Sequence, residues 1–239
     1  MPQEIETLLH DLQHEQCTEQ GGRTFYEGML YGKEVVLVFS RWGKVAAATT
    51  ATQLILHFGV EFIIFTGVAG GLVHGLHVGD VVIARRLYQH DMDARPLMPQ
   101  YEIPLLGKMY FESPTKYTTK AGEAVKRFLE TNLQFKQKLR EYGIHFPKML
   151  VADIASADKF VSSSEDKQAI LQGLPTVVCV EMEGAAVAQV GNDFQVPVLV
   201  IRTISDEADE QSEHSFVFFL ENLAREYPHH ILKELFAII

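Results

Sequence analysis

Short apolar runs alternate with helical patterns along most of the chain. Runs of strand length that are rich in Val, Ile, Leu and Phe predict buried β-strands. They occupy residues 35–39, 62–65, 81–84, 177–180 and 198–201. Apolar residues at helical spacing predict helices over residues 44–57, 119–142, 183–192 and 215–236. This alternation is typical of an α/β fold in which helices cover a largely parallel sheet.

The composition indicates a single domain over residues 1–239. With 47% hydrophobic residues the chain can bury one sizeable core, and no linker rich in Pro, Gly or Ser divides it. No apolar run approaches the roughly 20 residues of a membrane span. The acidic start also lacks the features of a signal peptide. We therefore expect a cytoplasmic protein that does not bind membranes.

The charge balance narrows the class of ligand. A formal net charge of -10 argues against a nucleic-acid partner, because phosphate backbones are bound by clustered Lys and Arg that this sequence does not show. A small neutral or cationic ligand fits the composition better. The two cysteines, Cys17 and Cys179, form no Cys-x-x-Cys motif, so neither a disulfide framework nor a cysteine-rich zinc site is indicated.

Two strand-to-helix junctions near the C-terminus carry the candidate chemistry. The strand at 177–180 leads into Glu-Met-Glu-Gly at 181–184, and the strand at 198–201 leads into Arg-Thr-Ile-Ser-Asp at 202–206. In open α/β sheets ligands bind at the carboxyl ends of strands, so these polar side chains could converge on one pocket. In the competing interpretation, the two glutamates merely favour the positive end of the next helix, and Ser205 and Asp206 cap the following segment.

Two further segments complete a family pattern. They are Phe-Thr-Gly-Val-Ala-Gly-Gly-Leu at 65–72 and Ser-Ala-Asp-Lys-Phe-Val at 156–161. With the two junctions, they resemble the 5'-methylthioadenosine/S-adenosylhomocysteine nucleosidases of the purine nucleoside phosphorylase superfamily, and the resemblance covers nearly the whole chain. It implies a single-domain, three-layer phosphorylase/nucleosidase-like fold, an α/β architecture with a mixed central sheet flanked by helices.

The resemblance also implies an activity. The expected reaction is hydrolysis of the N-ribosidic bond of 5'-methylthioadenosine, S-adenosylhomocysteine or a related 5'-modified adenosine, which releases adenine and serves methionine salvage. The implied enzyme is a homodimer that needs neither a cofactor nor a metal. The sequence does not rank the 5'-substituents, and 6-amino-6-deoxyfutalosine stays among the possible substrates.

Three acidic residues receive roles from the resemblance. Asp206 would be the general acid that protonates N7 of adenine, with Ser205 orienting it. Glu183 would bind the ribose hydroxyls. Glu4, with Arg202 close by, would position and deprotonate the attacking water.

The remaining implied contacts surround the base, the ribose and the 5'-substituent. Phe160 would stack on the base, and the backbone at Val161 would bind its edge. For Met182 and Phe216, ordinary core packing is a nearly equal alternative. The full set of implied substrate contacts is Trp42, Val68, Gly70, Phe160, Val161, Glu181, Met182, Glu183, Arg202, Ser205 and Phe216.

The glycine segment bears on the nucleophile. Ala69 breaks the Gly-x-Gly-x-x-Gly fingerprint, so a dinucleotide site is a weak interpretation. In the phosphorylase branch, an arginine two residues before the first glycine and a serine directly after it help to hold phosphate, whereas this chain has Phe65 and Val68 there. Water is therefore the expected nucleophile. Arg41 keeps a phosphorylase open as an alternative, and a catalytically silent nucleoside-binding protein is a second one.

The start of the chain departs from the family pattern. Members open with an apolar strand ending in Gly-Ala-Met directly before the first acidic helix, and residues 1–6 match only the end of that pattern. The resemblance therefore implies that Glu4 lacks the strand that should hold it in place. Alternatively, Glu4 is a solvated residue in the first turn of a helix, where Pro2 and an acid are both favourable.

Two other segments have competing interpretations. Metal ligation is one interpretation of His90, Asp91 and Asp93, because His and Asp side chains can bind a metal ion. A similar His-Asp pair occurs in the family without a metal, so we expect a structural role or a role at the edge of the pocket. Residues 95–111 predict a long proline-containing loop. In the family this region closes the partner's pocket across a dimer interface, and a simple surface lid is the alternative.

Overall fold

The computed structural model describes the backbone of residues 3–239 and the side chains of residues 5–239. The helices are α1 (Gln3–Asp11), α2 (Lys44–Phe58), α3 (Thr115–Thr131), α4 (Leu133–Glu141), α5 (Ser164–Gly173), α6 (Gly184–Phe194), α7 (Ser212–Asn222) and α8 (Glu226–Phe236). The strands are β1 (Gln13–Gln20), β2 (Arg23–Leu30), β3 (Lys33–Val38), β4 (Ile63–Gly71), β5 (Val81–Gln89), β6 (Phe111–Glu112), β7 (Met149–Ser156), β8 (Val177–Glu181) and β9 (Val198–Asp206).

The strands form two sheets. β1, β2 and β3 make an antiparallel sheet, and the central sheet has the order β6-β5-β7-β8-β4-β9, with β9 also pairing with β5. Its two longest pairings, β4 with β9 and β5 with β7, are parallel, whereas the pairings of β4 with β8 and of β5 with β6 and β9 are antiparallel. Helices flank this mixed sheet, which confirms the α/β fold that the resemblance implied.

Helices pack on both sides of the central sheet. On one side, α3 and α8 enclose a core that contains Phe128, Phe219 and Tyr227. On the other side, α2 and α6 bury alanines such as Ala47 and Ala185, whose small side chains let these helices approach the sheet closely. Among residues 3–239, no helix is long and apolar enough to cross a membrane.

Two helices predicted as continuous are each divided. The pattern over 119–142 corresponds to α3 and α4, and they separate at Asn132, whose side chain accepts a hydrogen bond from the Phe135 amide at 2.9 Å and so caps α4. The pattern over 215–236 corresponds to α7 and α8. Pro228 lies in the first turn of α8, where its missing N–H is tolerated, and it could not continue a helix from α7.

The sequence pattern did not reveal four strands, which are the two-residue β6 and the longer β1, β2 and β7. β1 and β2 form a polar, largely exposed or half-exposed hairpin, which shows no apolar run. In β7 the apolar run is broken by Asp153, which is fully buried and accepts a hydrogen bond from Arg85 of β5 at 2.8 Å. A buried carboxylate is compatible with a strand only because such a partner is present.

Candidate active site

A cavity of about 580 Å³ lies where β4, β8 and β9 end. The register of the strands explains this convergence, because Gly70 of β4 lies opposite both Val180 of β8 and Asp206 of β9. Apart from Val161, every substrate contact predicted from the sequence lines this cavity, as does Asp206. The cavity-lining members of that set are Trp42, Val68, Gly70, Phe160, Glu181, Met182, Glu183, Arg202, Ser205, Asp206 and Phe216.

Glu181 is held from several directions at the end of β8. Its carboxylate accepts hydrogen bonds from the Glu183 amide at 3.1 Å and the Gly184 amide at 2.8 Å, at the N-terminus of α6. The Arg202 guanidinium and the Ser156 hydroxyl also donate to it. Because Glu181 and Arg202 are both buried, each compensates the charge of the other, and Glu181 orients Arg202 and the start of α6.

Glu183 occupies the N-cap position of α6, and its side chain turns toward the cavity. Its Oε1 accepts a hydrogen bond from the Gly43 amide at 3.0 Å, and its Oε2 lies 3.7 Å from the Arg202 guanidinium. The ring of Phe65 lies 4.3 Å from that guanidinium, on the cavity wall. The cluster therefore presents a carboxylate to a ligand while the positive charge stays buried.

Asp206 is the last residue of β9 and is 2% exposed. Burial raises the pKa of its carboxyl group, and this effect outweighs hydrogen bonds from the Ser205 hydroxyl at 2.8 Å and the Ala208 amide at 2.9 Å, which act to lower it. A buried carboxyl group with a raised pKa can carry a proton to a leaving group.

Gly70 lies directly against this carboxyl group. A Cβ at this position would lie 2.8 Å from Asp206 Oδ1 and 3.1 Å from the Ala208 Cβ. The glycine segment therefore allows Asp206 to approach the β4 backbone, which no larger residue would permit without a shift.

Three aromatic side chains of the cavity wall, Trp42, Phe160 and Phe216, pack together and are called the aromatic rim. The ring of Phe216 packs edge-on against Trp42, with centroids 6.3 Å apart, and against Phe160, with centroids 5.5 Å apart. Trp42 is 53% exposed, and Phe160 is also exposed. Accessible aromatic faces beside a polar cluster suit a ligand with a flat base and an apolar substituent.

The Val161 side chain packs in the apolar cluster with Leu72 and Tyr88, so only its backbone is available for the predicted base contact. The Glu4 side chain lies outside the described residues. Its neighbour Ile5, in the first turns of α1, lines the cavity.

Ser156 belongs to the site although the sequence analysis gave it no role. It is the fully buried last residue of β7, it lies opposite Glu181 of β8, and its hydroxyl accepts a hydrogen bond from the Ala185 amide at 2.8 Å. Ser156 is the first residue of the family motif at 156–161, so its position in that motif could have indicated a role in the site.

The possible metal ligands at 90–93 do not form a cluster. Among the described residues, no group of three or more His, Cys, Asp or Glu side chains has an arrangement that could hold a metal ion. Burial lowers the pKa of His90, which favours the neutral imidazole. Asp91 instead pairs with Lys44 at 2.6 Å, and Asp93 pairs with Arg95.

Comparison with known proteins gives the same result at three levels. The family model of the phosphorylase superfamily matches residues 1–237. An aminodeoxyfutalosine nucleosidase of Helicobacter pylori is 36% identical over 205 residues, which are 86% of this chain and 81% of that protein. Among solved structures, a 5'-methylthioadenosine/S-adenosylhomocysteine nucleosidase from Neisseria meningitidis, in complex with methylthio-immucillin-A, is 34% identical. It has a TM-score of 0.86, and the match covers 100% of this chain and 96% of that one. A mutant of the futalosine hydrolase of Helicobacter pylori is 33% identical with a TM-score of 0.83 and the same coverage.

Proposed function

The chain belongs to the nucleosidases of the phosphorylase superfamily, and we propose that its substrates are 5'-methylthioadenosine, S-adenosylhomocysteine and closely related 5'-modified adenosines. As an N-glycosyl hydrolase, it cleaves the N-ribosidic bond of an adenosine derivative. One observation carries the substrate proposal. A single cavity joins the buried Asp206 carboxyl group, the Glu183–Arg202 cluster and the aromatic rim.

Asp206 makes adenine a better leaving group. As the bond between C1' of the ribose and N9 of adenine breaks, its electron pair passes to the base, and Asp206 gives its proton to N7. The departing adenine is therefore neutral. Burial supports this step because it raises the pKa of Asp206 and favours the protonated acid before the reaction.

Glu183 fixes the sugar during the same step. Its carboxylate accepts hydrogen bonds from the ribose hydroxyls, and its negative charge lies near the positive charge that develops on the ribose ring. Bond cleavage leaves an electron-poor C1'. A water molecule then adds to C1' and gives its proton to Glu4, which restores a neutral sugar product.

The aromatic rim supports a substituted 5'-carbon. Trp42 and Phe216 line the cavity, and neither offers a charged group to a ligand. An alkylthio group would therefore bury its apolar surface against them, with about 0.8 kcal/mol gained for each buried methylene group. This chain is similar both to an enzyme named for aminodeoxyfutalosine and to one named for methylthioadenosine, so both kinds of 5'-substituent have to be tested as substrates.

The decisive experiment measures adenine release from 5'-methylthioadenosine, S-adenosylhomocysteine and aminodeoxyfutalosine in phosphate-free buffer. We expect turnover without phosphate and a free sugar product. Turnover that requires phosphate and yields a sugar 1-phosphate would identify a phosphorylase instead. Binding of all three compounds with no adenine release would favour a silent nucleoside-binding protein.

Glu183→Gln is expected to lower kcat/KM for ribosides by about 10–10²-fold. This corresponds to the roughly 1.5–3 kcal/mol of a hydrogen bond to a charged group, because the glutamine keeps the shape and loses the charge. Initial rates with ribosides and matching 2'-deoxyribosides give the measurement. Glu112→Gln is the matched control, since Glu112 pairs with Arg86 at 3.0 Å outside the cavity and should not affect turnover. An identical response of the two sugar series would remove Glu183 from hydroxyl binding.

We also infer that the enzyme is a homodimer. Exposed apolar side chains lie in the first turn of α2 and in the loop before β6, and they include Val45, Leu97 and Leu105. Apolar side chains with this exposure suit a protein interface. Sedimentation equilibrium should give twice the chain mass of 26.9 kDa, and a monomer at micromolar concentration would contradict the inference.

A further inference from the structure

Lys44 is the first residue of α2, and its ammonium group is enclosed by polar partners. Nζ donates to Asp91 Oδ1 at 2.6 Å and to Gln89 Oε1 at 3.1 Å, and only 16% of the side chain is exposed. Gln89 is the buried last residue of β5, and its amide donates in turn to Gln189 of α6 at 2.7 Å. The ammonium group therefore ties the start of α2 to the end of the central sheet.

Asp158 closes this arrangement into a ring. Its carboxylate accepts a hydrogen bond from the Lys44 backbone amide at 2.7 Å, and its own amide donates to Asp91 Oδ2 at 3.2 Å. Asp91 follows β5 and Asp158 follows β7, which are parallel neighbours. A carboxylate at the N-terminus of α2 also interacts favourably with the helix dipole. The Lys44–Asp91–Asp158 ring thus joins one helix to two strand ends.

Gly43 transmits the geometry of this ring to the cavity. It lies directly before Lys44, and its amide donates to Glu183 Oε1 at 3.0 Å. Its φ of 89° is in the region that favours glycine, and a Cβ would lie 2.9 Å from Asp158 Oδ1. The ring therefore fixes both the position and the direction of the amide that contacts Glu183.

We propose that Lys44, Asp91 and Asp158 are positioning residues for Glu183, acting through the Gly43 amide. The ring sets the rotation of the Glu183 carboxylate about its last bond, and so decides how that carboxylate meets the sugar. This inference rests on the proposed function, because it takes Glu183 as the group that binds the ribose hydroxyls. None of the three ring residues lines the cavity, so each acts at a distance from the substrate.

The charges of the ring support the same role. Burial acts to raise the pKa of Asp91, but hydrogen bonds from Lys44 and from the Asp158 amide outweigh it, and the pKa is lowered. Asp91 is thus held as a carboxylate. Removal of the Lys44 charge would take away the hydrogen bonds that its ammonium group donates to Asp91 and Gln89 and leave the Asp91 carboxylate without its counter-charge, so the loop that carries Gly43 would lose this anchor.

The first test is Lys44→Met, which keeps the length of the side chain and removes its charge. We expect kcat/KM for ribosides to fall by about 10–10²-fold, since a displacement of about 1 Å can cost on the order of 10²-fold in rate. Lys138→Met is the matched control, because Lys138 forms a half-buried pair with Glu226 at 3.0 Å and neither residue lines the cavity. The control variant should retain full activity.

A double-mutant cycle separates positioning from general weakening. If Lys44 acts through Glu183, the variant with both Lys44→Met and Glu183→Gln should be little worse than Glu183→Gln alone. Lys44→Met should also reduce discrimination between riboside and 2'-deoxyriboside in the same direction as Glu183→Gln. Independent multiplication of the two losses, or unchanged sugar discrimination, would overturn the proposal.

Asp91→Asn provides the same test if Lys44→Met does not fold, because asparagine keeps the shape and an acceptor for Lys44. It should give a smaller loss with the same non-additivity toward Glu183→Gln. Wild-type protein that releases no adenine from any 5'-modified adenosine would contradict the proposed function itself. An active wild type with fully active ring variants would contradict only the positioning role.

Discussion

Asp206→Asn is expected to lower the turnover of 5'-modified adenosines by roughly 10²–10⁴-fold, the range typical of lost general acid catalysis. The asparagine side chain has nearly the same shape, and its oxygen can still accept the hydrogen bond from the Ala208 amide. Its amide group cannot give a proton to N7. The fold should therefore persist while the leaving-group step slows.

The pH profile should change in the same variant. Burial raises the pKa of Asp206, so the protonated acid persists to higher pH than for an exposed aspartate. In the wild type, kcat/KM should fall on the alkaline side as the pH rises through this pKa and the proton is lost. In Asp206→Asn this alkaline decline should disappear, because the residual reaction no longer uses that proton.

Asp80→Asn is the matched control for Asp206→Asn. Asp80 is also 2% exposed and accepts backbone hydrogen bonds from His77 at 3.0 Å and Lys148 at 2.8 Å, but it does not line the cavity. The Asp80→Asn variant should have a lower Tm in thermal unfolding and an unchanged turnover. Near-normal turnover in Asp206→Asn would remove this residue from the mechanism, and an equal loss in both variants would point to a structural cause.

The sequence revealed β5 and β9 because their apolar runs are buried on both faces. The runs at 81–84 and 198–201 lie in β5 and β9, although both strands extend further than the runs. β5 continues through Arg85 and Arg86, which pair with Asp153 and Glu112, so charged residues remain in strand conformation. A pattern based on apolar residues ends where such pairs begin.

The convergence of the site was predictable, but its contacts were not. Two strand ends with acidic residues suffice to suggest one pocket, because ligands of open α/β sheets bind at the carboxyl ends of strands. The sequence did not show that β4 lies between β8 and β9 and pairs antiparallel with β8, so that Gly70 meets both strand ends. The Glu181 carboxylate accepts hydrogen bonds from Ser156 and Arg202, which lie in other strands. The Lys44–Asp91–Asp158 ring joins residues up to 114 positions apart, and no local pattern encodes such a contact.

β3 and β4 each have an edge that no neighbouring strand covers fully within residues 3–239. Within residues 3–239, β3 pairs only with β2, and β4 pairs with β9 along its length but with β8 only at Gly70 and Gly71. Residues 64–68 of β4 are half-buried, whereas every residue of the neighbouring β9 is buried. Apolar side chains of both strands line the same cavity. An added apolar strand could satisfy backbone groups along these edges.

We propose that an apolar strand fused before Met1 would pair between β3 and β4 and hold α1 and Glu4 in place. Ile5 and Leu8 of α1 line the cavity, so a strand that leads directly into α1 would reach it from the correct side. The extension should raise stability by about 2 kcal/mol, which corresponds to roughly 4–8 °C in Tm for a domain of this size. Turnover should rise by up to about 10²-fold if Glu4 is otherwise misplaced by about 1 Å.

Thermal unfolding and adenine release in four proteins would decide this prediction: the present chain, the extended chain, and each with Glu4→Gln. An extension of equal length with proline at alternate positions is the matched control, because proline lacks the N–H that strand pairing requires. Its Tm and turnover should equal those of the present chain. Equal stability and activity with and without the apolar strand would show that the edges need no partner. If Glu4→Gln left the extended enzyme fully active, Glu4 would not be the base, and the water would be activated by another group.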